Sequence, residues 1–133
     1  QLERYPGLLQ RRAEIIRRYD AALKPLGVET LTHFGEDYRS SGHLYITRVP
    51  NITEQQRNDI IVKMAEREIA CNVHYKPLPM MTAYKTLGFD IEDYPNAYKH
   101  YANEITLPLH TKLSDEDVAY VIENFTEILK EYL

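Results

Sequence analysis

Cysteine is almost missing: Cys71 is the only one. One thiol cannot build an internal disulfide framework, and its solitude fits a reducing compartment. Within Ile69-Ala70-Cys71-Asn72-Val73 it reads as a small buried hydrophobe. No apolar run approaches the length of a membrane span, and no charged-then-apolar leader opens the sequence. These absences predict a cytoplasmic protein with no membrane partner. They also make the sequons Asn51-Ile52-Thr53 and Asn124-Phe125-Thr126 coincidental.

Excess positive charge is missing too. The net charge is −4, with both signs interspersed, which argues against nucleic acid as a partner. The one dense basic stretch, Arg11, Arg12, Arg17 and Arg18, suits the wet face of an amphipathic helix. The 5 glycines are isolated, so no phosphate cradle is formed, and no Gly-x-Ser-x-Gly elbow occurs. The 5 histidines, at 33, 43, 74, 100 and 110, show no metal-ligand spacing, and no metal site is expected.

What is present is enough for one core: 133 residues, 44% of them hydrophobic, predict a single domain, 1–133. Leu8, Leu9, Ile15, Ile16, Tyr19, Ala22, Leu23 and Leu26 recur at helical spacing between arginines, predicting a helix from Pro6 to Lys24. Pro25 and Gly27 stop it. Val28–Thr32, His43–Val49 and Cys71–Tyr75 read as strands, the last of them a second central one. Thr53 caps a helix reaching about Ile69, with Ile60, Ile61, Met64 and Ala65 facing the core. A short helix over Met80–Leu87 ends at Gly88, and Pro95 opens another to Asn103. Thr106–Leu109 is a brief extended piece, and Ser114 caps the last helix, whose stripe is Val118, Val121, Ile122, Phe125, Ile128, Leu129 and Tyr132. The expected fold class is α/β, an α+β sandwich: a small antiparallel or mixed sheet packed with helices.

Chemistry concentrates in Asn72-Val73-His74-Tyr75-Lys76-Pro77-Leu78-Pro79, where a strand runs into a proline-rigid turn. Strand ends of such sheets are common ligand sites. A histidine, a phenol and an ammonium side by side suit a sugar or a phosphorylated ligand. Side chains that bond locally and face water are the other reading, and these residues alone favour that one. His43 opens its strand beside a loop, where it either reaches a cleft or pairs with a backbone carbonyl. His110 reads as a turn residue before the last helix, and His33 and His100 as surface or helix-face positions. Tyr84, Tyr94, Tyr98 and Tyr101 form either a partner-facing surface or groove packing.

Whole phrases carry more. Leu2-Glu3-Arg4, then Arg11-Arg12-Ala13-Glu14-Ile15 and Arg18-Tyr19, form the first; His43-Leu44-Tyr45 with Arg48-Val49 forms the second. Asn72-Val73-His74-Tyr75, Pro77-Leu78, Ala83-Tyr84 and Leu87-Gly88 form the third. Tyr94-Pro95-Asn96-Ala97, Ile105-Thr106-Leu107-Pro108-Leu109-His110 and Leu113-Ser114-Asp115-Glu116-Asp117-Val118 form the fourth. In this order they resemble the C-terminal part of the DegT/DnrJ/EryC1/StrS sugar aminotransferases.

The resemblance implies the C-terminal small domain of a fold-type I pyridoxal-phosphate enzyme whose large, cofactor-binding domain is absent from this sequence. The parent would be a homodimer that passes an amino group from glutamate to a keto group on a nucleotide-linked sugar, for polysaccharide and cell-surface sugar synthesis. Such chemistry needs a lysine to hold the cofactor, and Lys24, Lys63, Lys76, Lys85, Lys99, Lys112 and Lys130 match no such motif of the family. No catalytic, cofactor-binding or metal residue is therefore expected here, and the chain alone is expected to be inactive. His74 and Tyr75 are the implied substrate contacts, followed by Lys76 and His43. Pro79 stands where many members carry a second histidine. A stand-alone, non-catalytic ligand-binding or regulatory module of the same shape is the alternative expectation.

Overall fold

The apolar stripe of the first helix decides what it packs against. In the computed structural model, which describes residues 2–133, helix α1 spans Tyr5–Leu23 and buries Ala13, Ile15, Ile16, Tyr19 and Leu23. Pro6 sits in its first turn, where the missing N–H breaks no intrahelical bond. A single 3-10 turn, Lys24–Leu26, follows, and Gly27 reverses the chain at a φ of 81°, a conformation that costs a residue without Cβ nothing.

Three antiparallel strands follow in the order β1-β2-β3: β1 (Glu29–Thr30), β2 (Tyr45–Arg48) and β3 (Glu104–Leu107). The register sets Tyr45 against Leu107 and Thr47 against Ile105, and these four residues face the core. Period-2 alternation then turns Ile46, Arg48, Glu104 and Thr106 to the opposite face.

Helix α2 (Glu54–Glu66) starts on a reciprocal cap, in which Thr53 Oγ1 accepts from Gln56 N–H at 3.2 Å and Gln56 Oε1 accepts from Thr53 N–H at 2.8 Å. Helix α3 (Thr82–Lys85) and helix α4 (Pro95–Ala102) belong to an excursion between α2 and β3. Helix α5 (Asp115–Leu129) repeats the reciprocal cap with Ser114 and Asp117, and lays Val118, Val121, Phe125, Ile128 and Leu129 into the core. There they meet Ile15, Ile16, Tyr19 and Leu23 of α1 and Ile60 and Met64 of α2. Truncating any one of these fully buried side chains to alanine costs about 2–5 kcal/mol, so this layer carries the stability. Arg11 and Arg18 tie α1 to the start of α5 through Asp115, each at 2.8 Å. They also hold the Asp115 carboxyl below its usual range.

Several elements differ from the sequence expectation, each for a physical reason. Cys71–Tyr75 is not a second central strand. Only Asn72 bridges to β3, through its backbone N–H and C=O to Thr106. The side-chain oxygen of Asn72 then takes the Val73 N–H, and the Glu104 carboxylate takes the His74 N–H, so the ladder stops. The place beside β2 belongs to Glu104–Leu107, which is buried along its whole length. The expected strand Val28–Thr32 contracts to Glu29–Thr30. Ala65 faces solvent, and Ile61 only flanks the core. His33 is not on the surface: it is 4% exposed, stacked 5.8 Å from the Tyr45 ring, and neither ring nitrogen has a hydrogen-bond partner among the described residues.

Candidate functional site

The second face of the sheet is where the excursion returns. Ile46 and Arg48 form its floor with Glu104, while His74, Tyr75 and Pro77 make one wall and Ala97, His100 and Tyr101 of α4 another. Glu29, Thr30 and Leu31 close the end, enclosing a groove of about 370 Å³. The volume is in the range of small-ligand sites.

An interior arginine fixes the α4 wall. Arg57, 1% exposed, donates from Nη1 to the carbonyls of Tyr101 and Glu104 at 3.1 and 3.3 Å and from Nε to Asn58. Glu54 on α2 accepts from the hydroxyls of both Tyr98 and Tyr101, at 3.1 and 3.0 Å. Burial, together with that bond, pushes the Tyr101 phenol above its ordinary pKa and keeps it a neutral donor.

Charge in the groove is largely spoken for. Arg48 forms an ion pair with Glu29 across the β1–β2 pair and a short hydrogen bond with His100 Nδ1. Glu104 accepts from the His74 N–H at 2.8 Å and from the Thr106 hydroxyl at 2.5 Å. His74 Nδ1 meets the same hydroxyl at 3.0 Å, and the ring is packed edge-on against Tyr75, centroids 4.7 Å apart. The His74–Tyr75 peptide bond is cis. Tyr75 itself stands 70% exposed at the groove margin, a flat apolar face offered to solvent.

The four sequence candidates therefore separate. His74 and Tyr75 line the groove; Lys76 is exposed and outside its lining, and so is His43, two residues ahead of β2. Sequence reasoning passed over Glu29, Arg48, His100 and Glu104. Arg48 and Glu104 were legible in principle, because each alternates with core-facing neighbours in a strand. His100 carried no signal, since its place depends on how α4 docks. Of the tyrosines, Tyr98 and Tyr101 serve the groove wall, while Tyr84 and Tyr94 flank Phe89 at 6.0 and 6.5 Å in a separate aromatic cluster.

A sequence model of the DegT/DnrJ/EryC1/StrS aminotransferase family matches residues 1–126. The chain belongs to that family. Among solved family structures, the candidate sugar aminotransferase Spr1654 from Streptococcus pneumoniae, in its PLP-form, is 55% identical and superposes with a TM-score of 0.95 over 100% of this chain and 34% of its own. Helicobacter pylori PseC, an aminotransferase of pseudaminic acid biosynthesis, superposes at a TM-score of 0.84 with 27% identity, over 98% of this chain and 35% of its own. The spore coat polysaccharide biosynthesis protein SpsC of Bacillus subtilis is 32% identical over 98% of this chain and 34% of SpsC. The dTDP-4-dehydro-2,3,6-trideoxy-D-glucose 4-aminotransferase of Saccharopolyspora spinosa is 28% identical over 100% of this chain and 33% of that enzyme. The chain thus spans about a third of the length of the curated relatives it matches. The three antiparallel strands and their helices are the fold of this part of the family's aminotransferases.

Whether these residues could hold pyridoxal phosphate is a question of donors. Among the described residues, no lysine lines the groove. Lys24 is paired with Asp20 and Lys63 with Glu131, each at 2.7 Å. Arg48, the one guanidinium among the described lining residues, is already engaged by Glu29. The donor set does not suit a Schiff-base cofactor or its phosphate.

Proposed function

We propose that residues 1–133 are the C-terminal small domain of a pyridoxal-phosphate-dependent nucleotide-sugar aminotransferase, and that the groove on the second sheet face is part of its sugar-contact wall. The observation that carries this reading is a groove with polar acceptors and an exposed aromatic face but no lysine, in a chain of this family. When bound to another part of the polypeptide, the cofactor supplies the electron sink for amino transfer; the residues here bind and orient the other reactant. His74 and Tyr75 are the contacts in this reading. The ring of Tyr75 stacks on an apolar sugar face, and His74 meets a polar group at its edge. Lys76 and His43 lie further out and contribute at most to a longer, nucleotide-bearing ligand.

Glutamate is the amino donor, the assembly is a homodimer and the compartment is the cytoplasm. The named activity of the Saccharopolyspora enzyme on a dTDP-linked sugar and the polysaccharide role of SpsC support the substrate class. The test is to measure the two half-reactions separately in the complete polypeptide. His74→Ala is expected to raise KM for a dTDP-linked 4-keto sugar about tenfold, the loss of roughly 1.4 kcal/mol of ligand contact, with the glutamate half-reaction unchanged. Absence of transfer to any nucleotide-linked keto sugar, or equal damage to both halves, would overturn the proposal.

A further inference from the structure

A hydroxyl has one proton to give, and in Thr106 it is already committed. Thr106 Oγ1 donates to Glu104 Oε1 at 2.5 Å, so toward His74 Nδ1, 3.0 Å away, the same oxygen can only accept. Nδ1 must then carry a proton whether the ring is neutral or charged. The second oxygen of Glu104 takes the backbone N–H of His74 at 2.8 Å, which fixes the residue that bears the ring. Glu104 and Thr106 are themselves buried, and Arg57 holds the Glu104 carbonyl from behind, so the pair is a rigid base. Nε2 has no partner among the described residues, and His74 is part of the groove lining.

We infer that Glu104 and Thr106 are positioning residues that lock His74 as its Nδ1–H tautomer, so that the nitrogen left for a ligand, Nε2, is an acceptor when the ring is neutral. Such a nitrogen selects a hydroxyl or amide N–H on the ligand and offers nothing to a phosphate oxygen. The inference rests on the proposed role of His74 as a sugar contact for its functional meaning, but the tautomer stands or falls by itself.

Nitrogen-15 NMR of the histidine-labelled chain, above the ordinary titration range of histidine, reads the tautomer directly. The expected spectrum shows a protonated Nδ1 and an unprotonated Nε2 for His74. Thr106→Val should shift His74 toward the Nε2–H form that an unconstrained imidazole prefers, and Thr106→Ser should restore the original pattern. A predominant Nε2–H form in the unmodified chain overturns the inference, even if Thr106→Val does not fold. So does a folded Thr106→Val chain whose tautomer is unchanged. Failure of the proposed function looks different: the Nδ1–H form would persist while His74→Ala left the keto-sugar KM untouched.

Discussion

The guanidinium carbon of Arg57 lies 4.6 Å from the centre of the Tyr101 ring, and the same group donates to the backbone carbonyl of Tyr101 at 3.1 Å. One buried side chain of α2 thereby sets both the height of α4 over the sheet and the position of Glu104 below it. Arg57→Met keeps an apolar stem but takes the side-chain donor from the buried Glu104 carbonyl, leaves Tyr101 C=O only the Asn103 N–H, and removes the cation from over the Tyr101 ring. It should lower the unfolding free energy by about 3 kcal/mol in urea titrations. A loss under about 0.5 kcal/mol, the size of an ordinary surface substitution, would contradict this placement.

His33 supplies a pH signature. Burial lowers its pKa from 6.5, with Lys24 adding to the effect and Asp20 opposing it. Between that lowered value and about 6.5 the unfolded chain binds more protons than the folded one, so stability rises with pH across this window and falls as the solution is acidified. His33→Phe keeps the stacking on Tyr45 and removes the titration. Its stability curve should be flatter there and higher at the acid end, as followed by thermal melts. An unchanged slope would contradict the buried, unpartnered ring. The carboxyls of Asp59, Asp115 and Asp117, whose pKa values are lowered by hydrogen bonds to neighbouring residues, lose their contribution only at lower pH, below about 4.

Cys71 should be slow to react. Burial pushes its thiol up to about 12 from 9.0, which cuts the thiolate fraction at neutral pH by roughly a thousandfold. Labelling with a thiol reagent should therefore accelerate sharply on addition of denaturant. A native rate equal to that of a free cysteine would contradict the burial.

The cap of α5 is testable alone. Ser114→Ala removes the acceptor for the Asp117 N–H at 3.0 Å and should cost about 1 kcal/mol, with Ser114→Asn close to neutral. Equal losses in both variants would mean that the side-chain oxygen is not what caps the helix.

How much of this was legible beforehand depends on the range of the forces involved. Thr53 and Ser114 were readable as caps because capping is settled within four residues. The α1 and α5 stripes were readable because periodicity is local too. Cys71–Tyr75 was misread because β-branched and aromatic content cannot show that Asn72 and Glu104 side chains intercept the backbone donors. His33 and His100 were opaque for the same reason, since one is buried by a strand from elsewhere and the other placed by helix docking. At the groove, His74 and Tyr75 stood out as a phrase, whereas Glu29 and Arg48 meet only through β-pairing.

The most direct measurement is the structure of the complete polypeptide with a nucleotide-linked sugar bound. The sugar should lie against Tyr75 with a hydroxyl or amide N–H within hydrogen-bonding distance of His74 Nε2, and with no lysine of residues 1–133 joined to the cofactor. A sugar seated away from the groove, or a cofactor held by one of these lysines, would contradict the account.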